Sequence, residues 1–114
     1  MSLEYARFWN YDYKELGLLL TKEEVKRYHE KKKPYVVLVK QDEKMKYVVK
    51  MNFNIYYCVV LFLDRNPENI EFDGYVMVNN SLFLKNRKTR VDGKVVSYLY
   101  ETDGKYTKKY SVKK

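Results

Sequence analysis

From Tyr35 onward the chain is a succession of short runs rich in valine, tyrosine and phenylalanine, set between polar links. Such runs predict strands, and the links predict turns. "YVVLVK" (35–40) leads through the polar turn "QDEK" into "MKYVVKMNF" (45–53). "IYYCVVLFL" (55–63) is apolar throughout, as a central strand buried on both faces would be. "DRNPEN" (64–69) is a proline-containing loop before "IEFDGYVMV" (70–78), in which Gly74 marks a bulge or a bend. Asn79-Asn80 can turn the chain into "SLFLK" (81–85). Asp92-Gly93 and Asp103-Gly104 are the strongest hairpin signals, because their residues tolerate the positive φ of a type I′ turn. Strands this close in sequence pair as neighbours.

The pattern differs before Pro34. In "LTKEEV", Thr21 can accept a bond from the N–H of Glu24 while the Glu24 side chain reaches back to the N–H of Thr21, with Leu20 and Val25 flanking this capping box. A helix is predicted from Lys22 to Lys32, resting on a narrow stripe of Val25 and Tyr28 and stopped by Pro34. "LEYARFWNYDYKEL" has mixed spacing. It predicts either a second helix over 3–16 stopped by Gly17 or an extended segment laid over the core, with Tyr5, Phe8 and Trp9 buried in both cases. The expected fold is mainly β (α+β): an antiparallel meander of six to eight strands, forming a curled sheet or small barrel, with one or two N-terminal helices packed against it. An open sheet cradling one helix is the second arrangement. The 114 residues are expected to form a single domain, with a helical segment at about 1–33 and the meander at about 35–112.

Composition reinforces the strand content. Thirteen tyrosines accompany a single alanine, Ala6. One cysteine permits no disulfide within the chain and fits a reducing, cytoplasmic setting. The segment "MSLEYARFW" has no basic stretch followed by an apolar one, so no secretory signal is expected. The apolar run 55–63 is too short for a membrane helix, which needs about 20 residues, so no membrane span is expected.

Charge changes the picture more. The net charge is +8, and residues 85–114 hold 10 Lys/Arg against 3 Asp/Glu, so nearly all the excess sits in the last 30 residues. Such a field attracts nucleic acid, an acidic protein or an acidic membrane surface. Lysine on exposed strands also guards against edge-to-edge aggregation.

Catalytic chemistry is sparsely represented. His29 is the only histidine and Cys58 the only cysteine, whereas a zinc site from these residues needs about four ligands. The four glycines are isolated, so no phosphate loop is present, and there is no G-x-S-x-G. No catalytic residue, metal or cofactor is assigned. Cys58 is expected as an inert core thiol and His29 as a surface residue of the basic helix.

The C-terminal strands carry the positive signal. Two-residue turns at 92–93 and 103–104 would set Arg87 opposite Tyr98, Tyr98 opposite Lys109, Tyr100 opposite Thr107 and Thr102 opposite Lys105. One face would then present Arg87, Tyr98, Tyr100, Lys105, Thr107 and Lys109, and the other Val95, Leu99, Tyr106, Tyr110 and Val112. Cations hold phosphates, and tyrosine rings offer a platform for stacked bases. The expected function is a non-enzymatic binding protein that contacts nucleic acid through this surface. Two alternatives stand beside it: an inhibitor or immunity-type module that binds an acidic protein, and a small metal-free nuclease using His29 with a lysine and a tyrosine. A closed barrel would add a cavity for a small ligand. A one-residue slip would exchange every side chain between the two faces.

Overall fold

A computed structural model describes residues 1–63, 71–101, 103 and 105–111, the last four by their backbone alone. In chain order the elements are β1 (Ser2–Asn10), β2 (Glu15–Leu20), α1 (Lys22–Glu30), β3 (Tyr35–Gln41), β4 (Lys44–Met51), β5 (Cys58–Phe62), β6 (Phe72–Val78), β7 (Ser81–Val91), β8 (Lys94–Tyr100) and β9 (Tyr106–Ser111). The nine strands form one antiparallel sheet in the order β2-β1-β3-β4-β5-β6-β7-β8-β9. From β3 to β9 every strand lies beside its sequence neighbours, which is the expected meander. Among the described residues the sheet does not close: β2 and β9 each have one neighbour, so the arrangement is an open sheet and not the barrel alternative with its cavity. One short helix on an open sheet is nearer to the second arrangement. The loop expected at 64–69, the start of a strand at Ile70, and Thr102, Gly104 and Val112 lie outside the described residues. No helix among the described residues is long and apolar enough to cross a membrane.

Residues 1–20 are a hairpin, which corrects the second helix and the helical segment beginning at residue 1. Aromatic residues favour strands, and Asn10 organises the turn by accepting N–H bonds from Asp12 and Tyr13 at 3.0 and 3.1 Å. Gly17 ends no helix. It faces Phe8 in the ladder, and the Phe8 ring lies 2.1 Å from where a Cβ would stand. That position explains why Phe8 stays 47% exposed instead of buried.

The two ends of this hairpin do different things. β1 pairs with β3 from Ser2↔Lys40 to Ala6↔Val36, and beyond Ala6 it continues with β2 alone. The distal half folds over one face of the sheet, helped by a left-handed backbone at Leu18 (φ 56°). There Trp9 and Leu16 pack on Ala6, Val36, Leu38, Val48 and Leu61. Tyr11 lies over the same face, its hydroxyl accepting a 2.6 Å bond from Lys50 Nζ.

The opposite face is covered by α1. Both bonds of the capping box form: Glu24 N–H to Thr21 Oγ1 at 3.1 Å and Thr21 N–H to Glu24 Oε1 at 2.9 Å. The Thr21 hydrogen bonds hold the Glu24 carboxyl below the usual carboxylate range. The helix stops two residues earlier than expected. Lys32 adopts φ 54°, and the N–H groups of Lys32 and Lys33 turn back to the carbonyls of His29 and Tyr28, the arrangement that commonly closes a helix. Val25 is buried against Tyr35, Met51 and Cys58, with Tyr28 beside them.

The middle of the sheet therefore has a core on each face, and this accounts for the continuous apolar run. Within β5, Cys58 belongs to the helix-side core and Leu61 to the other. The strand starts at Cys58 rather than residue 55, and Ile55 is 81% exposed. Burial pushes the Cys58 thiol up, as an inert core cysteine requires.

Turn chemistry sets the meander's register. Asp42-Glu43, Asn79-Asn80 and Asp92-Gly93 all have positive φ at both central positions, the type I′ geometry whose twist matches that of paired strands. Glu43, at φ 63°, is the least suited of these residues, since a left-handed backbone costs an ordinary L-residue about 1–2 kcal/mol. Glu43→Gly should raise stability by roughly 1 kcal/mol, reduced by glycine's greater unfolded-state entropy. A urea midpoint no higher than that of the parent would refute strain at this turn.

Candidate nucleic-acid interface

The predicted pairing of β7 with β8 is found: Val91↔Lys94, Thr89↔Val96 and Arg87↔Tyr98. The pairing of β8 with β9 is one residue away from the expected one. Tyr100 faces Tyr106, Leu99 faces Thr107, Tyr98 faces Lys108 and Ser97 faces Lys109. The cause is the last turn. The Glu101 N–H bonds the Lys105 carbonyl at 2.7 Å, so the loop is longer than two residues, and the Asp103 side chain accepts from the Lys105 N–H at 2.9 Å.

The expected row is accordingly only half assembled. Arg87, Tyr98 and Tyr100 share a face. Thr107 lies opposite Leu99 and Lys109 opposite Ser97, so neither belongs to the row. Lys105 sits in the turn with its side chain 85% exposed, 4.0 Å from Asp103. Tyr106, expected on the opposite face, takes the place intended for Thr107. The Tyr98 and Tyr100 rings lie 6.4 Å apart and within 23° of parallel. Tyr106 stands at 5.5 Å from the first and 5.6 Å from the second, so the three rings form a single cluster.

Two buried carboxylates that sequence reasoning did not single out support this face: Asp73, which lines it beside Tyr98 and Tyr100, and Glu71. Asp73, 4% exposed, faces Arg87 across the β6–β7 ladder and accepts a bidentate pair from its guanidinium, Nε at 2.8 Å and the second bond at 3.0 Å. These hydrogen bonds hold Arg87 more firmly charged than usual. Glu71, 7% exposed, accepts from the Thr89 hydroxyl at 2.8 Å. The signal for this pairing was present: Glu71 and Asp73, two apart before β7, match Thr89 and Arg87, also two apart. Only the turn at 79–80 and the bulge at Gly74/Tyr75 decide which residues meet.

Together Phe62, Asp73, Arg87, Thr89, Tyr98 and Tyr100 line an open cleft of about 580 Å³. One flank of Arg87 is bound to Asp73, yet its side chain remains 46% exposed, leaving the other flank able to donate to a ligand. A planar ring can stack on the tyrosines with an anionic group reaching the guanidinium. Burial, and then the nearby Asp73 charge, raises the Tyr75 hydroxyl, which stays neutral.

His29 lies away from this cleft. It is a surface residue, as expected, but both ring nitrogens are engaged: Nδ1 with the Tyr35 hydroxyl at 2.8 Å and Nε2 with the Tyr57 hydroxyl at 3.3 Å. The Phe53 ring meets it edge-on at 5.2 Å. This contact ties the end of α1 to β3 and to the segment before β5. Desolvation raises the Tyr35 hydroxyl, with Tyr57 adding to the effect. No protein-family model, curated protein or solved structure matches this chain.

Proposed function

We propose that this protein is a non-enzymatic binding module that holds single-stranded nucleic acid on the exposed face of β7, β8 and β9. The observation that carries the proposal is the cluster of Tyr98, Tyr100 and Tyr106 beside the half-exposed guanidinium of Arg87. Rings on an open strand face meet bases only where those bases are unstacked, which favours single strands over a duplex.

Relative magnitudes assign the roles. Arg87 is compensated by Asp73, so its attraction for a phosphate is partial. Base–aromatic stacking contributes about 1–3 kcal/mol per base, and the surplus charge of residues 85–114 acts at longer range on the backbone. Stacking should therefore dominate affinity at the cleft, while the lysines set salt dependence and association rate.

The test is a fluorescence-anisotropy titration with single- and double-stranded oligonucleotides at two salt concentrations. Tyr106 is 56% exposed, which makes Tyr106→Ala a clean variant for the fold. It should weaken single-strand binding by about tenfold, from the stacking term, with little change in the urea midpoint. Lys105→Glu should mainly flatten the salt dependence. Tight single-strand binding that is indifferent to Tyr106→Ala would remove this site, and absence of binding to any nucleic acid would remove the function.

A further inference from the structure

A second surface lies at the other edge of the sheet. β2 is a terminal strand, paired with β1 alone among the described residues, so its outer row of backbone N–H and C=O groups faces away from the sheet. Natural edge strands are usually protected by charge, proline or a covering element. The stretch Leu16–Leu20 carries no charge and no proline, its one departure from extended backbone is Leu18 (φ 56°), and Leu18 and Leu19 are 61% and 71% exposed. Beside this edge, Arg7, Phe8, Leu18, Tyr28, Lys33 and Pro34 line an open groove of about 480 Å³. Its walls are apolar and aromatic and its charged residues are both basic, with the Lys33 ammonium 5.7 Å from the centre of the Tyr28 ring.

We propose that the β2 edge and this groove are a docking site for an extended peptide segment of another protein, one that alternates acidic and apolar residues. The segment would add to the sheet as a tenth strand beside β2, drawing main-chain hydrogen bonds from the free edge. Alternate apolar side chains would cover Leu18 and enter the groove between Phe8 and Tyr28, and the intervening carboxylates would meet Arg7 and Lys33. Three features select this occupant. The free edge asks for extended backbone. The concave groove suits inserted side chains better than the flat surface of a bilayer. The basic rim, on a chain of net charge +8, disfavours a second copy of the same chain and favours an anion. The site is distinct from the tyrosine cleft on β7–β9, so the two could be occupied together.

The experiment is an amide NMR titration of the full chain with a short capped peptide alternating aspartate and leucine. Three controls run beside it: a lysine–leucine peptide, an aspartate–leucine peptide N-methylated along one backbone edge, and vesicles of phosphatidylserine. Saturable shifts confined to residues 15–20 and to Phe8, Tyr28 and Lys33 are expected. Affinity should fall by about tenfold or more for the lysine peptide, for the N-methylated peptide, and for the Leu18→Asp and Lys33→Glu variants. Both substitutions are at exposed positions, and an unchanged amide spectrum elsewhere shows that the fold is retained. Equal binding of the lysine peptide, insensitivity to N-methylation, shifts produced by vesicles instead of peptide, or concentration-dependent self-association through β2 would each overturn the proposal.

Discussion

Trp9→Ala is expected to cost about 3–5 kcal/mol, the range for deleting a buried large aromatic side chain. This would be a large fraction of the roughly 5–15 kcal/mol that separates folded from unfolded states in proteins of this kind. Trp9 is 4% exposed and is the main weight with which the β1–β2 hairpin closes over Ala6, Val48 and Leu61. Its removal leaves a cavity that the hairpin can fill only by tilting away from its Lys50–Tyr11 contact. The measurement is the urea unfolding curve followed by far-ultraviolet circular dichroism, since the substitution removes the only tryptophan and its fluorescence. Phe8→Ala is the internal control. Phe8 is half exposed, so that substitution should cost clearly less. Equal losses at the two positions would mean that the hairpin does not fold over the sheet as described.

The second large effect concerns Arg87, whose structural and binding roles can be separated. Arg87→Met leaves the Asp73 carboxylate buried without its bidentate partner. A buried charge stripped of its partner is destabilising by about 3–5 kcal/mol when the pair is fully enclosed. Here the guanidinium side is half exposed and water can approach, so roughly 2–3 kcal/mol is expected. The double variant Asp73→Leu/Arg87→Met should recover most of that loss, because a buried ion pair replaced by apolar groups is often close to neutral. The cycle is read by urea unfolding of the parent, both single variants and the double variant. Additive losses would show that the two side chains do not depend on each other. If the recovered double variant still binds single strands weakly, the lost affinity belongs to the exposed flank of Arg87 and not to the fold.

Much of the architecture is visible in local chemistry. The box at Thr21–Glu24, the turns at 79–80 and 92–93, and the pairing Arg87↔Tyr98 each depend on a few adjacent residues whose preferences agree with the final structure. The misjudged parts depend on contacts distant in sequence. Residues 3–16 fit either a helix or an extended segment, and it is β3, more than 20 residues away, that recruits β1 into the sheet. Gly17 resembles a helix stop until the Phe8 ring is seen lying on it. At the candidate site, three of the six proposed residues come together, and Tyr106 replaces one of the others because a single turn is longer than its Asp-Gly signature suggests. Asp73 and Glu71 were passed over because a carboxylate in a strand looks solvent-facing until its partner on the next strand is known.

The position of β9 at the end of the ladder has a consequence for how such a surface can change over time. Lengthening a turn by one residue ahead of an interior strand would invert that strand's two faces and disturb both of its neighbours at once. Ahead of β9 the same change disturbs only the β8–β9 ladder among the described residues. From 105 to 110 the even positions are Tyr106, Lys108 and Tyr110 and the odd ones Lys105, Thr107 and Lys109, so one register offers a basic, aromatic face and the other a basic face without aromatic rings. A single inserted or deleted codon near Asp103 could thus exchange one set of contact residues for another in one step, leaving both hydrophobic cores in place. The last strand is the part of this molecule where binding preference can be rewritten at the least cost to folding.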